Sequence, residues 1–232
     1  MKHSALAVLA LAMMPVKMFG TRVLDFNSPG NNPVGYYYVS PYTATVKGTG
    51  SVLTLYCIDF NHDISTSEEW TANLNPLSKS YVSNYQYGST GTVPSVWMKY
   101  EMAAYLITQL SQTTDKQQQA IDEYAAWKVF LDTAHTGAFD ASVAAAGGAT
   151  FAAAINTAYA NAQSAVANGY TPVGWAVVTP DPAGLLGSPQ EFLTTANELG
   201  AVPEPSSIVL LVTVVGGIGF MRFRRGAARN RG

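Results

Sequence analysis

Charge is scarce in this chain: Asp, Glu, Lys and Arg together make up 12% of its 232 residues, while Tyr, Thr, Ser, Asn and Ala abound. Cysteine is nearly absent. The single Cys57 has no partner for an intramolecular disulfide. Of the three histidines, His3 stands near the N-terminus, and His62 and His135 stand alone in unrelated contexts. The sequence has no G-x-S-x-G, no H-E-x-x-H and no phosphate-cradling glycine loop, so the common hydrolase and nucleotide-binding signatures are missing. From Ser206 to Met221 there is no ionisable residue at all.

That last absence marks one end of the chain. Val202-Pro203-Glu204-Pro205 precedes the apolar run, and Arg222, Arg224, Arg225, Arg229 and Arg231 follow it. A spanning helix needs about 20 apolar residues, so the run spans a bilayer marginally, helped by snorkelling arginines and local thinning. Arginine-rich flanks stay cytoplasmic, which puts the residues before the helix on the far side. A buried core helix with a solvated basic tail is the other reading. At the N-terminus, Lys2 followed by the apolar run Ala5–Met14 has the length of a signal peptide. Met18-Phe19-Gly20 is a poor cleavage triplet, which leaves an uncleaved anchor as the alternative. The expected organisation is a signal peptide over 1–20, an exported domain over 21–198 and a linker over 199–205. A membrane helix over 206–221 and a cytoplasmic tail over 222–232 complete it.

Without the two ends, six basic residues face 15 acidic ones, a net charge of −9. Such a surface repels phosphate backbones and disfavours nucleic acid as a partner. About 185 residues suffice for one substantial core. Gly35 to Phe60 reads as strands, with Lys47-Gly48-Thr49-Gly50-Ser51 as a hairpin connection. Asn61 to Ser95 reads mostly as loop with one or two short strands. Helices are expected over Val96–Leu110, from a capping box at Thr114-x-x-Gln117 to about Thr133, and over Thr150–Asn168 with Gly169 as the stop. Gly174–Thr179 and Ser188–Thr195 read as strands. The order predicts an α+β fold, with N- and C-terminal strands packed on about three central helices, plus one C-terminal transmembrane helix.

Candidate chemistry is sparse. Asp59-x-Asn61-x-Asp63 begins like a calcium loop, but Ile64 and Trp70 occupy the positions that need glycine and a bidentate carboxylate, so the segment reads as a polar turn and no metal or cofactor is expected. Tyr36, Tyr37, Tyr38, Tyr42, Tyr81, Tyr85 and Tyr87 suit a sheet and could also stack on sugars. Cys57 is open to three readings: a small buried hydrophobe, an intermolecular disulfide, or a nucleophile.

Two resemblances sharpen these readings. The tail Pro203-Glu204-Pro205, apolar run and Arg222, Arg224, Arg225 closely resembles the PEP-CTERM sorting tail of exported bacterial proteins. The resemblance implies processing by an exosortase-type sorting enzyme that grips an extended proline-bracketed motif. Tyr56-Cys57-Ile58-Asp59, Gln119-Ala120-Ile121 with Trp127, and Pro189-Gln190-Glu191-Phe192-Leu193 together resemble the motifs of Cys–Gln thioester surface domains. The helical motif lacks its threonine and its tryptophan comes late. The resemblance implies a thioester between Cys57 and Gln190, shielded by Tyr56, Trp70 or Trp127. The reading is therefore an exported, non-enzymatic surface or matrix protein, membrane-held before processing, with exopolysaccharide or a surface ligand as partner. A glycan hydrolase using carboxylates among Asp59, Asp63, Glu68, Glu69 and Glu101 is the alternative.

Overall fold

The computed structural model describes residues 19–182 and 189–199. Strand β1 (Gly20–Ser28) turns Leu24 and Phe26 inward and leaves Thr21, Val23 and Asn27 outside. The same period-two alternation recurs in β4 (Tyr42–Val46), β5 (Val52–Cys57) and β6 (Glu69–Pro76). With β7 (Trp175–Pro180) and β8 (Phe192–Thr195) they close an antiparallel six-stranded barrel in the order β1-β4-β5-β8-β7-β6. Closure leaves no unpaired edge on these strands. A bulge between Phe26 and Ser28 shifts the register of β1 against β4, Phe26 facing Ala44 and Ser28 facing Thr43. A separate two-stranded ribbon, β2 (Asn32–Val34) and β3 (Tyr37–Val39), projects from the β1–β4 connection.

The barrel seam that matters here is short. Strand β5 meets β8 through only Tyr56↔Leu193 and Cys57↔Phe192, extended by the Ile58 N–H to the Glu191 carbonyl at 3.1 Å. Cys57 therefore ends its strand beside the segment that leads into β8.

Between β6 and β7 lie a 3₁₀ turn (Lys79–Asn84) and four α-helices. They are α1 (Val93–Gln112), α2 (Lys116–Phe130), α3 (Thr136–Ala146) and α4 (Gly148–Ala167). Pro94 sits in the first turn of α1, where its missing N–H costs nothing. The cap of α2 is Asp115 rather than the expected Thr114 box, its carboxylate accepting from the Gln117 and Gln118 amides. Gly169 follows α4 with φ +89°, as its stop requires. Helix α2 is buried along Ala120, Glu123, Tyr124 and Trp127, and the Trp175 indole bonds to Thr108 on α1 at 3.1 Å, tying the barrel to the helices.

The α+β expectation holds, with differences. Among the described residues there are four α-helices where about three were expected, because Thr136–Ala146 is a helix of its own. The short strand expected between Asn61 and Ser95 is β6, which at eight residues is longer than expected and belongs to the barrel. Residue Gln190 stands two positions ahead of β8, not inside a strand. Among the described residues no single helix is long and apolar enough to cross a membrane. The leader residues 1–18, the motif Pro203-Glu204-Pro205, the helix over 206–221 and Arg222, Arg224 and Arg225 lie outside the described residues.

Candidate functional site

The β5–β8 seam brings the two residues of the thioester motif to one acceptor. The Cys57 thiol donates to the Asp59 carbonyl oxygen at 3.2 Å, and the Gln190 carboxamide nitrogen donates to the same oxygen at 3.0 Å. Cys57 is fully buried and Gln190 only half so. Asp59 thus presents its backbone oxygen to both side chains while its own carboxylate points elsewhere.

That carboxylate is filled. It accepts from the Asn61 amide at 2.9 Å, Gln86 Nε2 at 2.9 Å, the His62 ring at 2.8 Å, the Glu191 amide at 3.3 Å and the Tyr87 hydroxyl. The bond to Asp59 is the main reason the His62 pKa is raised. Glu191, next to Gln190, is equally enclosed. It accepts from the Gln86 amide at 2.8 Å, Thr179 Oγ1 at 2.7 Å and Tyr100 Oη at 2.5 Å. Burial pushes its pKa up to about 7 against these bonds. Two saturated carboxylates therefore clamp the Asp59 turn and the Gln190 segment against α1 and β7. Buried networks of this kind rigidify what they hold, and here both carboxylates are satisfied although Gln86 Oε1 has no partner. They also explain why the Asp59-x-Asn61-x-Asp63 segment is a turn: Asp59 has five protein donors already.

The other wall is α2. Ser40 donates to Glu123 Oε1 at 2.5 Å and accepts the Cys57 amide at 2.9 Å. Glu123 Oε2 is buried without a partner, and burial raises its pKa to about 8. One turn on, Trp127 buries its indole against Tyr37, Phe60 and Tyr124. Its N–H lies near enough to the thiol to lower the Cys57 pKa somewhat, yet it has no acceptor at hydrogen-bonding geometry. The net effect on the thiol is strongly upward, first from burial and then from the charges of Glu123 and Asp59. Cys57 is therefore a neutral thiol at rest, not a standing thiolate.

The site opens through a pocket of about 130 Å3 bordered by Gln190, Trp127, Phe60, Tyr42, Asp63 and the Tyr36–Tyr38 segment. Small-molecule sites usually measure about 300–1,000 Å3, so this mouth admits a side-chain end rather than a whole ligand. A wider cleft of about 540 Å3 lies between α1, α2 and α4, lined among others by Gln109, Gln118, Asp122 and Asn161; neither Cys57 nor Gln190 borders it.

Of the three expected shields, Trp127 is the one at the pocket. Trp70 fills the barrel against Phe26 and Phe192, and Tyr56 packs on Trp175. Gln119 donates back to the carbonyl of Thr113, the residue that ends α1, at 2.8 Å and so braces the α1–α2 turn. The tyrosines divide: Tyr36, Tyr37, Tyr38 and Tyr42 line the pocket, whereas Tyr85 and Tyr87 pack on Tyr100 and Phe130. Among the carboxylates considered for glycan hydrolysis, Glu69 pairs with exposed Lys47 at 2.7 Å, Glu68 bonds the Ser65 amide, and Asp59 is saturated. No group of three or more His, Cys, Asp or Glu fit to hold a metal occurs among the described residues.

Ser40 and Glu123 were not singled out from the sequence. A glutamate inside a helix reads as solvated, but its place beside Ala120, Tyr124 and Trp127 put it on the apolar stripe. Comparison with known proteins adds nothing to the geometry: no family model, curated protein or solved structure matches the chain.

Proposed function

We propose that this is an exported surface protein, delivered through a PEP-CTERM tail, whose barrel domain forms a Cys57–Gln190 thioester and uses it to attach covalently to a partner. The supporting observation is that the two side chains, far apart in sequence, both donate to the Asp59 carbonyl oxygen. The sulfur attacks Cδ of Gln190, a C–S bond forms, the C–N bond breaks, and the thiol proton leaves with the nitrogen as ammonia. No oxidant or cofactor is needed. Because the thiol is neutral at rest, its proton must move during the attack; Glu123, on the same wall with a vacant oxygen, can take it only in its ionised form, which burial confines to above about pH 8. The product is an activated acyl group open to an amine or hydroxyl at the pocket mouth. Attack there leaves the partner joined to Gln190 and returns Cys57 to a thiol.

The tail supplies delivery. Pro203-Glu204-Pro205 is the processing signal for an exosortase-type enzyme, and the arginines hold the helix end in the cytoplasm until cleavage.

Intact mass of the protein from a host carrying the sorting enzyme tests both halves. The expected species ends near the Pro203-Glu204-Pro205 motif, lacks one ammonia, gains methylamine on incubation, and regains the full mass in Cys57→Ala. A wild-type ectodomain with its full complement of ammonia would remove the thioester, and a retained basic tail would remove the sorting.

A further inference from the structure

A buried N–H with no acceptor is uncommon and destabilising. The Trp127 indole carries one, at the place where α2 meets the Cys57 thiol and the Gln190 pocket. Three aromatic neighbours hold the ring, so the N–H cannot simply turn to water. An orphan donor fixed beside two reacting groups has a natural explanation: its acceptor exists in another state of the site.

We infer that the Trp127 indole N–H is the oxyanion donor for acyl transfer at Gln190. The inference rests on the thioester reading and assigns it a catalytic residue. The Gln190 nitrogen is held by the Asp59 carbonyl, which turns the carboxamide oxygen to the opposite side of Cδ. When sulfur adds to Cδ, that oxygen takes the negative charge. It requires a donor, and Trp127, whose indole nitrogen is itself buried, lines the same pocket as Gln190. As the C–N bond breaks, the oxygen becomes the thioester carbonyl, and the same N–H polarises it for the incoming nucleophile. One donor thus serves formation and use. The slight lowering of the Cys57 pKa by the same N–H agrees with its position.

The test replaces Trp127 by 3-benzothienylalanine in the full chain, which keeps the fused ring and exchanges N–H for sulfur; Trp127→Phe is the genetically simple companion. Ammonia release on refolding, methylamine addition and hydrolysis are followed by mass. Removing one oxyanion donor slows acyl transfer by about a hundredfold or more, so formation and methylamine addition should both slow to that degree in the isostere, with no faster hydrolysis. Wild-type rates in the isostere overturn the inference. So does faster hydrolysis with normal formation, since that is the behaviour of a ring acting only as a shield. If the wild-type chain releases no ammonia, the thioester reading itself fails and takes this inference with it.

Discussion

Glu123 is the residue whose presence most needs a reason. It has no exposed surface, one oxygen on Ser40 and one on nothing, and it sits where its charge opposes ionisation of Cys57. In Glu123→Gln the bond from Ser40 can persist while the charge is lost. Measured in a Gln190→Ala background, where no thioester competes, the alkylation profile of Cys57 should then move to lower pH. The difference should open only above about pH 8, where Glu123 is ionised. A Cys57 profile that stays put, or moves up, would show that the two groups do not communicate.

At the scale of elements, the β2–β3 ribbon sets the pocket wall, and its turn depends on Gly35. That residue has φ +62°, and a β-carbon there would lie 2.5 Å from both the Ser142 carbonyl and its hydroxyl, and 3.0 Å from the Tyr124 hydroxyl. The contact is close because the Tyr36 amide donates to Ser142 Oγ at 3.2 Å and Tyr124 Oη donates to the Val34 carbonyl at 2.9 Å. Gly35→Ala should therefore cost about 2 kcal/mol or more, read from the denaturant midpoint, and should shift the tyrosines at the pocket. A loss under half a kcal/mol would mean that ribbon and helices are not braced there.

What could be read beforehand follows the range of the interactions. The β4–β5 hairpin was legible because Gly48 and Gly50 carry positive φ within a few residues of both strands. Helices α1, α2 and α4 were legible from their 3.6-residue stripes. Helix α3 was not: its core face is Phe139 and Val143 with Ser142, too few large residues among alanines to make a stripe. Barrel closure was not legible either, because Tyr56↔Leu193 and Cys57↔Phe192 pair residues from opposite ends of the domain and leave no local pattern. The motif residues Cys57 and Gln190 could be named from their neighbours. The Asp59 carbonyl, Ser40 and Glu123 could not, since their roles arise only where β5, α2 and the segment before β8 converge.

At the scale of the whole molecule, burial raises the pKa values of four carboxylic acids among the described residues: Asp122 to about 6, Glu191 to about 7, Glu123 to about 8, and Glu101 in the same direction. Each folded-state value lies above its unfolded one. Their contribution to stability is therefore fully present below about pH 4 and declines as pH rises through 6 to 8. His62, also raised, acts in the same direction. Thermal unfolding should show a higher midpoint at pH 5 than at pH 8.5, and Glu123→Gln should flatten the upper part of that slope; a midpoint that rises across this range would contradict the assignment. A Cys57–Gln190 bond would add to stability at any pH, since closing a loop of this length removes unfolded-chain entropy worth about 4–5 kcal/mol in the chain-entropy model.

Gln190 stands just ahead of the last barrel strand, and the chain then runs through β8 towards the tail. Consider a partner joined at Gln190 while the chain is held by its C-terminal side. Tension then passes from the partner into Gln190, along the backbone of β8 and out to the attachment point. Strands β1 to β7 and all four helices hang to one side of that line and carry none of it. In that arrangement a pull would stretch a short peptide already extended, and the barrel would have no reason to unravel under flow or drag.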